Sequence, residues 1–254
     1  MKKIVNYGAI ILATICLCIS YLAAGFAVCA CVPQVTTGLS GATCTYEISP
    51  FNKDELTQMA LAGRNYTFWD NDKEALYDAI WEINESAAAD GRAGNGSVDT
   101  STNATVQARE KFILNADEQY TLDAEAISHL DDVYKVVKAV RIPLVIIAVL
   151  AVAAAAHVLI RINKRAFGCV LATSGAIVLA AFLILGAFAV INFNSFFDAF
   201  HSLFFAQGTW YFSYDSLLIC MYPTAFWIGM AIIWFATSVI LSILSIWLGK
   251  RAKK

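Results

Sequence analysis

Long apolar runs alternate with polar, charge-rich connections along the chain. Ile4–Val32, Val140–Ile160, Ala166–Asn192 and Ala225–Gly249 are the runs, and a helix needs about 20 apolar residues to cross the hydrocarbon core of a bilayer. In the last three, strongly polar groups sit only at or near the ends. The first run follows Met1-Lys-Lys, a start that also suits a signal peptide, but it extends well beyond a signal core of about 7–15 residues and reads as a retained span. The pattern predicts an all-α membrane bundle of four transmembrane helices with a small extracytoplasmic α+β cap. The helices fall at 1–32, 140–160, 166–192 and 225–249, the cap at 33–139 and an aromatic interfacial segment at 193–224.

Within the cap, Asn52-Lys-Asp-Glu55 and Asn71-Asp-Lys-Glu74 have a polar residue followed three positions later by glutamate, the pattern of a capping box. The first predicts a short helix ending near Gly63. The second predicts an amphipathic helix with Leu76, Ile80 and Ile83 on one face. Tyr66–Trp69 and Phe112–Leu114 are short enough to be strands. Residues 87–105 (AAADGRAGNGSVDTSTNAT) have almost no large apolar side chains and predict a flexible, solvated loop. Thr121, Asp123 and Glu125 suit the start of another helix, with Thr121 as its cap and Pro143 kinking or restarting it.

Composition agrees: 59% of residues are hydrophobic and 15% charged, too apolar for an ordinary soluble domain. Charge then orients the spans. Lys2 and Lys3, the Arg161–Arg165 turn, and Lys250, Arg251, Lys253 and Lys254 lie in segments without an acid, and all 20 acidic residues lie in the other two connections. The positive-inside rule puts both termini and the Arg161–Arg165 turn in the cytoplasm and the cap outside. Cys16, Cys18 and Cys169 fall inside spans. Cys29, Cys31, Cys44 and Cys220 fall at or beyond the outer face, where disulfides persist. A Cys31–Cys44 or a Cys29–Cys44 bridge is compatible with the sequence. No Cys-x-x-Cys or His-x-x-x-His spacing points to a metal, and nothing points to a cofactor or to nucleic acid.

Candidate chemistry centres on two of the three histidines. His129 has Glu125 four residues before it and Asp132 three after, so the three share one face of a helix. A carboxylate there holds one ring nitrogen protonated and aims the other at a substrate. His201 lies among six phenylalanines between Phe193 and Phe205. On a helix it shares a face with Phe197, Phe204 and Phe205, and Asp198 precedes it by three. The third, His157, lies near the cytoplasmic end of the second span and reads as structural, beside an Ala153–Ala156 stretch that lets a neighbouring helix approach. Without chemistry, the same residues make a capped polar helix start and an interfacial aromatic anchor.

Two separated stretches resemble the signatures of a bacterial four-span membrane protein family that includes the lipoprotein intramolecular transacylases. They are Glu125-x-x-x-His129-Leu-x-Asp-Val133 and Phe200-His-x-x-Phe-Phe205, the latter followed by Trp210, Asp215-Ser-Leu-Leu-Ile219 and Pro223-x-x-Phe-Trp227. Tyr222-Pro-Thr224 departs from a Phe-Pro-Glu-like family sequence. The resemblance implies an integral membrane acyltransferase. Its partners would be membrane lipid and a diacylated lipoprotein, whose sn-2 acyl chain moves to the lipoprotein's own N-terminal cysteine amine. It implies His129 and His201 as the acid–base pair, in either division of labour, supported by Glu125, Asp132 and Asp198. Phe197, Phe200, Phe204, Phe205 and Trp210 would line the acyl site. No Gly-x-Ser-x-Gly elbow is present. The alternative is a non-catalytic envelope protein whose cap binds a partner or senses pH. A small transporter is disfavoured because no acid or base lies mid-membrane.

Overall fold

The computed structural model describes residues 2–92, 109, 112 and 115–254. Among them, all regular structure is helical. The helices are α1 (Lys2–Cys31), α2 (Pro33–Thr43), α3 (Lys53–Asn65), α4 (Lys73–Ala89), α5 (Ala124–His157), α6 (Lys164–Ile191), α7 (Phe193–His201), α8 (Leu217–Met221) and α9 (Thr224–Ala252), with π-helical turns at Tyr66–Asp70 and Val158–Ile162. Lys3–Cys31, Ala124–Ile162, Lys164–Ile191 and Thr224–Ala252 are long and apolar enough to cross a membrane.

The chain divides into two compact units: Met1–Cys29, Ala139–Phe200 and Ala231–Lys254 in one, Ala30–Lys138 and His201–Met230 in the other. The first, apolar unit is built from the spans and packs through small residues. A Cβ on Gly168 would lie 2.5 Å from the Gly249 carbonyl oxygen, and one on Gly249 would lie 2.6 Å from that of Gly168. Such close backbones suit lipid, where association depends on packing and interhelical hydrogen bonds. The hydrogen bonds are present: Tyr21 Oη and Ser245 Oγ are 2.6 Å apart, and Trp234 Nε1 donates to the Leu22 carbonyl at 2.9 Å. Large apolar side chains such as Val190 and Ile160 face outward, 88% and 74% exposed.

The second, polar unit has a core like that of a water-soluble domain. Phe51, Leu56, Met59, Tyr66, Leu76 and Ile80 are buried in it, joined by Leu122, Leu217, Met221 and Phe226. Asn52 closes the predicted capping box, accepting from the Asp54 and Glu55 amides while Glu55 accepts from the Asn52 amide at 2.8 Å. Arg92 then grips Glu55 through two hydrogen bonds of 2.7 and 2.6 Å. Leu76, Ile80 and Ile83 are buried as their spacing predicts.

Several expectations for the cap are corrected. There is no strand among the described residues, so the cap is α-helical rather than α+β. Tyr66–Trp69 lies in the π-helical turn that continues α3. Phe112 is helical, and Ile113 and Leu114 lie outside the described residues. The second capping position is Asp72, which accepts from the Ala75 amide at 3.1 Å, while Asn71 takes a left-handed φ of 54° that ends the π turn. Of the expected loop, Ala87–Ala89 belong to α4 and 93–105 lie outside the described residues. Asp123 rather than Thr121 caps α5, accepting from the Ala126 amide at 2.7 Å. That helix runs through Pro143 without restarting. No disulfide is present among the described residues.

Candidate functional site

His129 sits near the start of α5, ahead of Asp131, Asp132, Lys135, Lys138 and Arg141. These charges separate it from the apolar part of the helix, so its ring lies outside the membrane-spanning segment. Three long-range contacts fix this part of α5. The Tyr66 hydroxyl donates to Asp131, Asn71 Nδ2 donates to Asp131 at 3.1 Å, and Lys73 Nζ lies 4.0 Å from the same carboxylate. Burial pushes the Asp131 carboxyl up, but the hydrogen bonds from Tyr66 and Asn71 and the charges of Lys73 and Lys135 outweigh it and hold it below the usual range. Asp131 therefore remains an ionised acceptor, anchoring the helix that carries His129.

His201 ends α7, and the chain then folds back. The Phe204 and Phe205 amides both donate to the His201 carbonyl, at 3.0 and 2.9 Å. Gly208 takes a φ of 92°, in the region that side-chain-bearing residues avoid. The reversal returns Trp210 and Phe212 towards the histidine. The far end is fixed by the Leu217 amide donating to the Glu118 carbonyl at 2.7 Å and Gln119 Nε2 donating to Asp215 at 2.6 Å.

These two supports bring the imidazoles together. The His129 and His201 rings stack, with centroids 6.2 Å apart and planes 27° from parallel. Phe205 lies 5.1 Å from the His129 centroid and 5.8 Å from that of His201. Phe212 closes on His129 at 5.7 Å and Trp210 on His201 at 5.5 Å. His201 is 7% exposed and Trp210 5%. Burial first, and the neighbouring His201 second, push the His129 imidazole down to about 4, against a small opposing pull from Asp132. The neutral ring is thus the resting form near pH 7. Its Nδ1 is buried and has no hydrogen-bond partner. A neutral imidazole with an uncommitted nitrogen, next to a second imidazole and screened by aromatic rings, is equipped to take and return protons at an adjoining apolar substrate.

The remaining sequence candidates are more dispersed. Glu125 is exposed. Asp132 pairs with Lys135 at 2.8 Å rather than hydrogen-bonding to His129 Nδ1. Phe204 packs against Phe205 with tilted rings, their centroids 6.2 Å apart. Phe197, Asp198 and Phe200 belong to the apolar unit, where Phe197 packs on Phe193 at 6.1 Å. Sequence reasoning missed Phe212 as a direct neighbour of His129, and Asp131, Tyr66 and Asn71 as its structural support. The Asp131-Asp132 doublet held a signal, because adjacent helix positions point to different faces and only one could accompany His129. Among the described residues, no group of histidine, cysteine and acidic side chains could hold a metal ion.

A multi-pass helical membrane protein with a histidine pair in an aromatic enclosure is the class these features define. The family model for the lipoprotein intramolecular transacylase Lit matches residues 102–227, a stretch containing both histidines. Over residues 102–227 the chain is therefore similar to this family. Solved structures of the membrane-integral lipoprotein intramolecular transacylase Lit from Bacillus cereus share its fold. One has a TM-score of 0.66 at 14% identity, covering 98% of this chain and 96% of that one. A variant with one histidine replaced by arginine has a TM-score of 0.59 at 15% identity, covering 99% and 93%. A variant with a histidine replaced by alanine also has a TM-score of 0.59 at 15% identity, covering 98% and 94%. No curated protein matches the chain by sequence.

Proposed function

We propose that this protein moves the sn-2 acyl chain of a diacylglyceryl lipoprotein to the α-amine of that lipoprotein's own lipid-bearing cysteine, using His129 and His201 as the acid–base pair. The stacked imidazoles within their aromatic enclosure carry the proposal. The similarity of residues 102–227 to the transacylase family suggests the reaction class. The charge distribution supports cytoplasmic termini and a polar unit facing outward, where diacylated lipoproteins present their N-termini.

The chemistry asks little of the protein beyond positioning and proton management. Amine and ester belong to one molecule, so the attack is intramolecular and proximity supplies much of the rate. The amine nitrogen bonds to the ester carbonyl carbon, the C–O bond to the sn-2 oxygen breaks, and an amide and a free glycerol hydroxyl result. One proton leaves the nitrogen and one reaches the departing oxygen. His129, with a buried Nδ1 that has no hydrogen-bond partner and with His201 beside it, is the candidate to accept the first. His201 is the partner suited to donate to the oxyanion or leaving oxygen. The aromatic rings limit water that would otherwise hydrolyse the ester.

The test is expression in a bacterium whose lipoproteins are diacylated, with mass spectrometry of lipoprotein N-terminal peptides. The expected product has an N-acylated cysteine and one remaining glycerol acyl chain. Unchanged lipopeptides despite good expression of folded protein would leave only the envelope-protein reading.

A further inference from the structure

Seven cysteines are present, and two are brought together in the core of the polar unit. We propose that Cys44 and Cys220 are a redox pair that closes into a disulfide, tying the end of α2 to α8. The sequence made Cys29 or Cys31 the expected partner of Cys44. The backbone favours Cys220. The Thr45 amide donates to the Cys220 carbonyl at 3.2 Å. One turn earlier, Ser40 Oγ donates to the Met221 carbonyl at 3.1 Å, and the Cys44 amide donates to the Ser40 carbonyl at 2.7 Å. The segment 40–45 is thus bonded along 220–221. The Thr45 hydrogen bond sets the backbones of Cys44 and Cys220 side by side, and a disulfide needs their Cα atoms roughly 4.4–6.8 Å apart.

The surroundings suit a buried bridge. Cys44 is 7% exposed and Cys220 0%. Burial raises the pKa of both thiols, with the Cys220 sulfur among the lesser contributors at Cys44. The thiolate is the reactive form, so the reduced pair exchanges slowly once packed, and closure belongs to the period when the chain is folding. Each thiol gives up a proton and an electron, one S–S bond forms, and an external disulfide oxidant is reduced to two thiols. The bridge would fix the end of the segment that begins at His201, because α8 follows Trp210 and Phe212 directly. Closure in the cell rests on the outward-facing polar unit proposed above; closure in purified protein does not.

The full-length protein, purified in detergent under reducing conditions, is partly unfolded with mild denaturant to admit reagent and treated with diamide, an azo compound that takes up the two hydrogens. It is then alkylated in full denaturant and mapped by mass spectrometry. The expected result is a linked pair of peptides containing Cys44 and Cys220, with the mass of two hydrogens lost. After refolding, its thermal midpoint should be higher than that of the reduced protein by on the order of 5 °C. Linkage of either residue to Cys29 or Cys31, or alkylation of both, would overturn the pair. A parallel sample is acid-trapped directly from cells, with exposed Cys31 probed by a membrane-impermeant maleimide. External labelling of Cys31 with Cys44 and Cys220 still reduced would overturn closure in the cell. If Cys31 is not labelled, the topological reading fails, and the diamide map alone decides the pair.

Discussion

The apolar and polar units hold together by different means. In the apolar unit, glycines and serines occupy the contacts, and valines, isoleucines and leucines point outward. In the polar unit the arrangement is reversed, with large side chains inside and caps and ion pairs at the boundary. Lipid is as apolar as leucine, so packing helices in a membrane gains little from burying leucine and much from close backbones. Water makes burial itself favourable, at about 25 cal/mol per Å² of apolar surface. The same chain obeys both rules, and the histidine pair belongs to the part governed by water.

The largest test of this contrast is chemical. His129→Ala and His201→Ala should each lower transacylation by about 100- to 10,000-fold, the usual loss of a well-placed acid or base. Thermal stability in detergent should change little by comparison, and His157→Ala should remain active. Equal activity in all three variants would detach the chemistry from the pair. Next come substitutions that follow opposite size rules. Leu56→Ala in the polar core should cost about 2–5 kcal/mol by leaving a cavity, read as a lower unfolding midpoint. Gly168→Leu should destabilise the apolar unit by overpacking, by about 1–3 kcal/mol or more, because its Cβ meets the Gly249 backbone. If Gly168→Leu were neutral, the close-backbone account of the apolar unit would fail.

Asp131→Ala should have a smaller effect, about 1–3 kcal/mol, from stranding the Tyr66 and Asn71 donors. It should also lower turnover through the loosened start of α5, and Asp131→Asn should recover part of both. Smallest is a titration. The His129 ring, followed by NMR, should have a midpoint near 4, shifting upward in His201→Phe as the neighbouring imidazole is removed. This pKa lies below the ordinary value of about 6.5, so the fold resists protonation at His129. The associated stability is present above pH 6.5 and is lost as pH falls towards 4. A midpoint near 6.5 would mean that water reaches the ring.

The four spans were legible because a bilayer imposes a length and a composition on a helix, and both appear in consecutive residues. The Asn52 cap and the Leu76, Ile80 and Ile83 stripe were legible for a similar reason, since their partners are three or four positions away. Tyr66–Trp69 was not. Aromatic and β-branched residues in a short run suggest a strand, yet here they extend α3 as a π turn. Tyr66 in that turn meets Asp131, 65 positions along the chain. The Asn71 and Asp72 positions trade roles because a left-handed residue was needed to end that turn. At the site, the two histidines stood out by residue type and surroundings. Their stacking depends on Gly208, Asp131 and Phe212, which no local spacing connects.

Arg64 has a bearing on the order of events as the chain is made. The residue is 3% exposed, and among the described residues no acid pairs with it. It donates instead to the Ala30 carbonyl at 2.6 Å and to Asn65 at 2.7 Å. Ala30 lies in the last turn of α1, where carbonyls lack partners within the helix and a cation is favoured. The final turn of α1 contains no basic residue of its own. The last turn of α1 is therefore completed by a residue 34 positions further along the chain, and it lacks that partner until α3 has folded.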